Sequence, residues 1–398
     1  MSVTAVMESP RGPQAPTPEE VADALADARF VRVVAAPTGA SLAASGVVAR
    51  ALRERAIPFQ VRVRRASAYA VTDDAFTLRV GSTGPADLTL AEPARAPTMA
   101  FEVARELGTD PDPRLALAGV AASETDPAVS TLADVAGLDR SPGAGVPVAD
   151  LADGLGHSTL LHAPFSDGAD AAGAMLAELG LPAELDGDAR RRVASLAAVE
   201  TTTAPGATPR AAEAVARALN PLRLDDAPFA TVEGYGDVLC AVARERPGTG
   251  VALALGHDAR TPALEAWRTH ARHAHTALRE AETARYTGVF VVRVSLPADG
   301  GADANSDDTE PDVHARRTAG RLRTVARLAR DFRSPEPTAL AVADGIAAAA
   351  THDEAVDAAD ALGRAVETAD ADGTAREADT RFAGDAEAFE TAVREALS

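Results

Sequence analysis

The chain has no lysine, one cysteine, only two isoleucines (Ile57 and Ile346) and few aromatic residues, 4% of its 398 positions. The single thiol, Cys240, excludes an internal disulfide and any metal or iron–sulfur site built from several cysteines. No run of about 18 apolar residues occurs, which argues against a membrane-spanning helix. The opening stretch MSVTAVMESPRGPQAPTPEE lacks a basic start and an apolar core, so no secretory signal is expected and the protein is placed in the cytoplasm. Without lysine, all 39 basic residues are arginine, set against 59 carboxylates for a formal net charge of −20.

That skew suits a GC-rich genome and a proteome that lives in concentrated salt. At molar salt the screening length falls to about 3 Å, so the repulsion among surface carboxylates is largely screened. The net acidity describes the whole surface and argues only weakly against nucleic-acid binding at one site. Apolar residues at 46% and charged residues at 25% are ordinary for a globular chain and exclude a wholly disordered one. The length exceeds one ordinary core, and two domains are expected.

Periodicity and turn chemistry place the elements. Residues 1–17 are Pro/Gly-rich and read as a disordered tail, ending at Thr17, an N-cap for a helix to Ala26 with Glu19 and Glu20 in its first turn. Strands are expected over 30–35, 59–63, 76–80 and 88–90, with helices over 42–55 and 98–107. Strand, helix, strand at this spacing indicates a parallel sheet. Residues 115–123 are apolar on all sides and read as a buried helix, followed by amphipathic helices over 169–180, 187–199, 208–219 and 229–244. Residues 262–285 carry the longest helical pattern. After it come a strand at 288–294, an acidic flexible loop at 297–312, a helix at 314–330, a strand at 338–342 and a closing helix at 386–397. The expected division is 18–220 as the parallel-sheet domain, 221–283 as connecting helices, and 284–398 as a smaller α/β domain.

Several segments carry polar groups that merit chemical reading. The turn Ala36-Pro37-Thr38-Gly39-Ala40-Ser41 lies between a strand and a helix N-terminus, where α/β folds bind ligands. It lacks GxGxxG and the lysine of a P-loop, so a plain turn capped by Thr38 or Ser41 is favoured over a nucleotide site. His270, His273 and His275 share the long helix with Arg268, Arg272 and Arg279. No HExxH pattern accompanies them, and a solvated basic face is favoured over a metal pair. The patch Gly154-Leu155-Gly156-His157-Ser158-Thr159 with His162 reads as a loop packed on the sheet, because adjacent Ser and His rarely form a nucleophile–base pair. His257 and Asp258 are too few for a metal, Asp258 reading as a helix cap, and DANSDD within 299–312 lacks the glycine and glutamate of a calcium loop.

Val33-Val34-Ala35-Ala36-Pro37-Thr38-Gly39-Ala40-Ser41-Leu42-Ala43-Ala44 resembles the first motif of the DHH phosphoesterase superfamily, in particular its RecJ-like archaeal branch. There a strand ends in His-x-Asp-x-Asp-Gly before an alanine-rich helix. The overlay sets Ala36 at the histidine, Thr38 and Ala40 at the aspartates, and Ser41 at the glycine. Arg114-Leu115-Ala116-Leu117-Ala118-Gly119 resembles the family's buried helix, with Ala122-Ser123 where a further metal-binding aspartate stands; no Asp-His-His occurs. Gly234-Tyr235-Gly236-Asp237-Val238-Leu239, residues 247–256 and Phe332-Arg333-Ser334-Pro335-Glu336-Pro337 are similar to later segments of the branch. Asp372-Gly373-Thr374-Ala375-Arg376-Glu377-Ala378 is similar to a degraded Gly-Gly-His motif of the DHH-associated nucleic-acid-binding domain.

The resemblance implies an α/β fold in which a parallel-sheet DHH-like domain is joined by helices to a smaller α/β DHH-associated domain. Family members hold manganese or magnesium on these aspartates and histidines to activate water against a phosphodiester. Ala36, Thr38, Ala40 and Ser123 cannot replace those carboxylates, so the resemblance implies no cofactor and no hydrolysis, as in the silent RecJ-related subunit of the eukaryotic replicative helicase. Single-stranded DNA or RNA and a GINS-like replication complex are the implied partners. Arg268, Arg272, Arg279, Gly373, Thr374, Arg376 and Arg381 are the candidate nucleic-acid contacts, weighed against arginines simply paired with surface carboxylates. Two alternatives stay open. One is an active manganese- or magnesium-dependent single-strand exonuclease, with Asp73, Asp74, Asp87, His157 and His162 as its polar candidates. The other is a small-nucleotide phosphoesterase or nucleotide-binding regulator using the Thr38–Ser41 turn.

Overall fold

The computed structural model describes residues 16–65, 75–182, 185–225, 227–296, 311–343, 345–353, 355–366, 371–373 and 376–397. Most of the expected tail over 1–17 lies outside them, as do residues 297–310 of the expected acidic loop. Thr17 caps α1 (Pro18–Asp27) through a full capping box with Glu20, which buries Val21 and Leu25. Strands β1 (Val31–Ala35), β2 (Phe59–Val63), β3 (Phe76–Val80) and β4 (Leu88–Leu90) form an all-parallel sheet in the order β2-β1-β3-β4. Helices α2 (Gly39–Glu54), α3 (Ala96–Glu106) and α4 (Pro113–Ala122) pack together, and Leu42, Leu52, Leu78, Phe101 and Leu117 lie in one apolar core with this sheet.

A helical segment follows, with α5 (Thr131–Ala136), α6 (Leu151–His157), α7 (Ala169–Ala177), α8 (Gly187–Thr202) and α9 (Ala211–Ala218). It carries a separate apolar cluster around Val146, Leu155, Leu161, Phe165 and Val193. Residues 154–157, read from sequence as part of a loop, are helical instead. Asp150 accepts from the Ala152 and Asp153 amides and starts α6, so capping outweighs the two glycines. Then come α10 (Val232–Glu245), α11 (Pro247–Ala254) and α12 (Arg260–Arg279). The helix expected to reach 285 stops at Arg279, because Glu282–Tyr286 leaves to become edge strand β5, antiparallel to β6 (Val289–Arg293). Cross-strand pairing there outweighs the helical pattern of the sequence.

The second sheet is six-stranded and mixed. To β5 and β6 it adds β7 (Thr338–Ala343), β8 (Ile346–Thr351), β9 (Asp372–Gly373) and β10 (Glu377–Arg381), in the order β5-β6-β7-β8-β10-β9. Helix α13 (Pro311–Leu328) begins inside the stretch expected to be loop and runs into a π-helical turn at Ala329–Arg333. Helices α14 (Ala358–Val366) and α15 (Ala386–Ala396) complete the chain. No helix among the described residues is long and apolar enough to cross a membrane.

Strand β8 reads IAAAAT and every residue is buried. Ala348 and Ala350 belong to the apolar cluster with α13, whereas Ala347 and Ala349 belong to the one with α14 and α15. The methyl groups are what let helices approach from both sides. Ala348→Leu is therefore expected to overpack the α13 side and cost about 1–3 kcal/mol, read as a lowered urea midpoint in molar KCl with unchanged slope.

Candidate functional site

The segments that carry the DHH resemblance converge. Thr38 caps α2, accepting from the Ser41 amide at 3.2 Å, and its hydroxyl lies 2.7 Å from the Ser41 hydroxyl. Ala36 and Ala40 are buried beside it. A side chain on Gly39 would meet Ala122 Cβ at 2.8 Å and the backbone nitrogen of Cys240 at 2.8 Å, so the start of α2, the end of α4 and the middle of α10 touch. Ser123 donates to the Val120 carbonyl at 2.7 Å and ends α4. The donor set does not fit a divalent cation: two methyl groups, a hydroxyl used as a helix cap and a hydroxyl turned onto its own helix. Among the described residues no group of three or more His, Cys, Asp or Glu is arranged to hold a metal ion.

Guanidinium–carboxylate pairs occupy the adjoining space. Glu124 follows Ser123 in a left-handed backbone conformation, φ 61°. Its carboxylate accepts both 2.8 and 2.9 Å bonds from Arg330, at the end of α13. Arg330 also donates to Asp331 at 2.8 Å, and Arg217 from α9 reaches the other Asp331 oxygen at 3.1 Å. Burial alone would raise Asp331, but the charge of Arg330 beside it holds it well below the usual carboxylate range. Glu124 is lowered in the same way by Arg330 and Arg327 against its burial. Two further contacts tie the first sheet region to the second: Arg65 to Asp379 at 2.9 Å and Arg244 to Glu377 at 3.3 Å. The cavity left between Glu124, Arg217, Glu233, Arg327 and Asp331 is about 50 Å³, room for a water or two and not for a substrate. Burial pushes Glu233, in its wall, up to about 7.

The histidines are structural. His270 lies 2.8 Å from Glu245 through Nδ1 and 2.8 Å from the Thr324 hydroxyl through Nε2. The Glu245 carboxylate can only accept, so His270 donates through Nδ1; burial lowers the His270 pKa, and in the neutral ring Nε2 accepts from the Thr324 hydroxyl. Arg321 grips the same Glu245 at 2.8 and 2.9 Å; burial opposes these bonds, yet they hold Glu245 at about 2. His275 Nε2 is 3.1 Å from the Ser158 carbonyl, which can only accept, so its Nδ1 accepts from His162 Nδ1 at 3.0 Å. His162 Nε2 then faces Arg333 at 3.4 Å. His157 stacks edge-on against Trp267 and bonds the Asp153 carbonyl at 3.0 Å.

Of the expected nucleic-acid contacts, Arg268 is taken up by a two-pronged pair with Asp153, its closest approach 2.7 Å, and Arg279 by Asp167 at 2.6 Å. Arg272, Arg376 and Arg381 are exposed. Gly373 is in a left-handed conformation, φ 149°, where a side chain would strike the Glu377 carbonyl at 2.3 Å; Thr374 lies outside the described residues. Asp73 and Asp74 also lie outside them, and Asp87 accepts from the Thr77 amide at 2.6 Å. Sequence reasoning missed Asp237, which is buried and accepts from the Thr159 amide at 3.0 Å and the Trp267 indole at 2.8 Å. Its place in the segment Gly234-Tyr235-Gly236-Asp237 was the available signal.

The buried imidazoles fix the sign of the pH response. Burial holds His275 at about 3, whereas the unfolded chain titrates near its ordinary 6.5. Between those values only the unfolded state takes up the proton, so stability falls as pH drops from about 6.5 towards 3. Glu245, depressed, adds a further loss between about 4.5 and 2. Urea midpoints in molar KCl are expected to decline below pH 6.5, by up to about 1.4 kcal/mol per pH unit for each buried histidine. His275→Gln should lower stability at pH 7.5 yet flatten that decline; an unchanged slope would contradict the buried neutral pair.

The full fold is similar to the crystal structure of CDC45 from Entamoeba histolytica, with a TM-score of 0.57, 9% identity, and coverage of 96% of this chain and 98% of that one. It is similar also to RecJ from Thermus thermophilus in complex with manganese, TM-score 0.50, 13% identity, covering 96% of this chain. The chain spans about half of that RecJ, 54%. These likenesses establish a two-part DHH-like fold. In sequence, the chain is 46% identical over 390 residues to the uncharacterized protein rrnAC1427 of Haloarcula marismortui, covering 96% of this chain and 97% of the relative. Residues 281–395 match the family model described as the C-terminal domain of that protein, a span that takes in β5 to α15. The chain therefore belongs to the rrnAC1427 family, on a fold shared with RecJ and CDC45.

Proposed function

We propose that this protein is a RecJ-fold accessory factor of DNA replication or repair that acts by binding and not by hydrolysis. Its ligand in this reading is single-stranded nucleic acid or a replisome partner, a GINS-like replication complex. The observation that carries it is the closed junction of α2, α4 and α10, where Ala36, Thr38, Ala40 and Ser123 replace a metal-binding set with methyl groups and committed hydroxyls. Phosphodiester attack needs carboxylates to fix two cations and lower the pKa of water. Neither manganese nor magnesium has a role in the proposed activity. The proposed division follows the expected domains, with 18–220 and 284–398 flanking the helices at 221–283.

Phosphate contacts in this reading fall to Arg272, Arg376 and Arg381, which are exposed, while the half-buried Arg268 holds Asp153. The protein, incubated with labelled single-stranded DNA and manganese in molar KCl, is expected to leave the strand intact while a RecJ relative carrying the aspartates degrades it. Degradation that follows the protein through repurification would end the reading. Arg272→Ala and Arg376→Ala should each reduce the salt slope of DNA binding by about 1, whereas Arg268→Ala should leave it unchanged.

A further inference from the structure

A second concentration of polar groups lies well away from that junction. Arg50 stands eleven residues beyond Gly39 on α2, about 16 Å along the helix axis. With Arg114 of α4, Tyr235 of α10 and Arg260 at the start of α12 it lines a cleft of about 360 Å³. A neighbouring groove of about 380 Å³ shares Arg50, Asp112 and Leu115 with it. In a chain of net charge −20, the buried Arg321 and Arg330 pair with carboxylates, whereas the cleft holds the half-buried Arg50 and Arg114 and the exposed Arg260. Among the described residues none of Arg50, Arg114 and Arg260 is in an ion pair. Arg50 donates through Nε to the Ala254 carbonyl at 2.8 Å, and Arg260 through Nε to the Pro228 carbonyl at 2.6 Å. Both bonds fix the guanidinium and leave its terminal nitrogens for the cleft. Gly256, at φ 85°, turns the chain beside the Arg50 guanidinium.

Tyr235 is the independent observation. It is 3% exposed, its ring packs on Phe229 at 4.7 Å, and it lines the cleft, yet its hydroxyl has no hydrogen-bond partner among the described residues. The hydroxyl meets solvent at the cleft, so it is available to donate to whatever occupies it. Burial pushes the phenol up to about 12, so it remains a donor at any working pH. The N-terminus of the 20-residue α12 opens on the same side without a side-chain cap. Two carboxylates line the cleft, of which Asp112 is occupied in capping α4 and Asp258 is exposed. Leu115, Ala227, Pro228 and Leu253 supply an apolar wall.

We propose that this cleft binds a small phosphorylated organic molecule of nucleoside-monophosphate size, its phosphate gripped by Arg50, Arg114 and Arg260 and by the Tyr235 hydroxyl. The volume is at the low end for small-molecule sites and too small for a folded partner. Guanidinium forks suit a phosphate bidentately, and contacts at hydrogen-bond distance survive salt that screens longer-range attraction. The inference stands apart from the nucleic-acid reading, since the cleft uses none of the same residues.

The test is calorimetric titration of the full chain in molar KCl with AMP, inorganic phosphate and a short oligothymidylate. AMP is expected to bind saturably and more tightly than inorganic phosphate. Arg114→Gln and Tyr235→Phe should each weaken AMP about tenfold, the loss of one charge-assisted hydrogen bond. Tyr235→Phe keeps the ring on Phe229, so its melting temperature without ligand should equal or exceed that of the parent, and it decides the matter should Arg114→Gln fail to fold. No saturable AMP binding, or undiminished affinity in Tyr235→Phe, would overturn the proposal. Phosphate binding as tightly as AMP would reduce the cleft to an adventitious ion only. Oligothymidylate displacing AMP at lower concentration would transfer it to nucleic acid and overturn the small-molecule assignment.

Discussion

The arrangement of the two sheets depends on guanidinium–carboxylate contacts, the grip of Glu124 on Arg330 among them. One partner ends a helix of the parallel-sheet core and the other ends the helix that covers the mixed sheet. The half-buried Glu124 carboxylate has both oxygens satisfied by guanidinium nitrogens, and the buried Arg330 guanidinium is tolerable because Glu124 and Asp331 flank it. Removing Glu124 leaves Arg330 with Asp331 alone, and removing Arg330 leaves Glu124 to the more distant Arg327. Glu124 accepts a strained left-handed backbone to make the contact, which marks the position as over-determined by its surroundings.

The absence of lysine gains a structural meaning from this network. A flexible ammonium is a point charge, whereas guanidinium is a planar fork that can satisfy two carboxylate oxygens at once. Arg321 on Glu245 and Arg268 on Asp153 use that geometry. Arg330 uses its breadth differently, bridging two separate acids. That planar fork thus lets long charged side chains enter the interior between the sheets.

Much of the fold was legible in sequence, and the illegible parts share a cause. The parallel strands stand out because apolar runs such as Val31–Ala35 lie between turn residues, and Thr17 with Glu20 announces a helix start. Strand β8 was silent, since four alanines carry no β preference and owe their strand to helices on either side. Glu282–Tyr286 read as helix because nothing local signals its partner, β6. At the junction, that Ala36, Thr38, Ala40 and Ser123 offer no carboxylate could be read directly from residue types. The partners of Arg330 could not, because Glu124 lies 206 residues away in the chain. The histidines looked like a solvated face, and only the packing of α12 shows His270 and His275 turned inward.

Strand β8 has one more consequence. Register between strands is ordinarily chosen by side chains that fit only one way, but Ala347, Ala348, Ala349 and Ala350 are interchangeable under a shift of one or two residues. What distinguishes the native alignment stands at the ends: Ile346 opposite Ala343, and Thr351, whose hydroxyl accepts from that of Thr338 at 3.0 Å. The central strand of a six-stranded sheet is therefore addressed by its two terminal residues and by the strands on either side of it. During folding it can occupy neighbouring alignments at little cost in side-chain packing until β7 and β10 close around it and admit one.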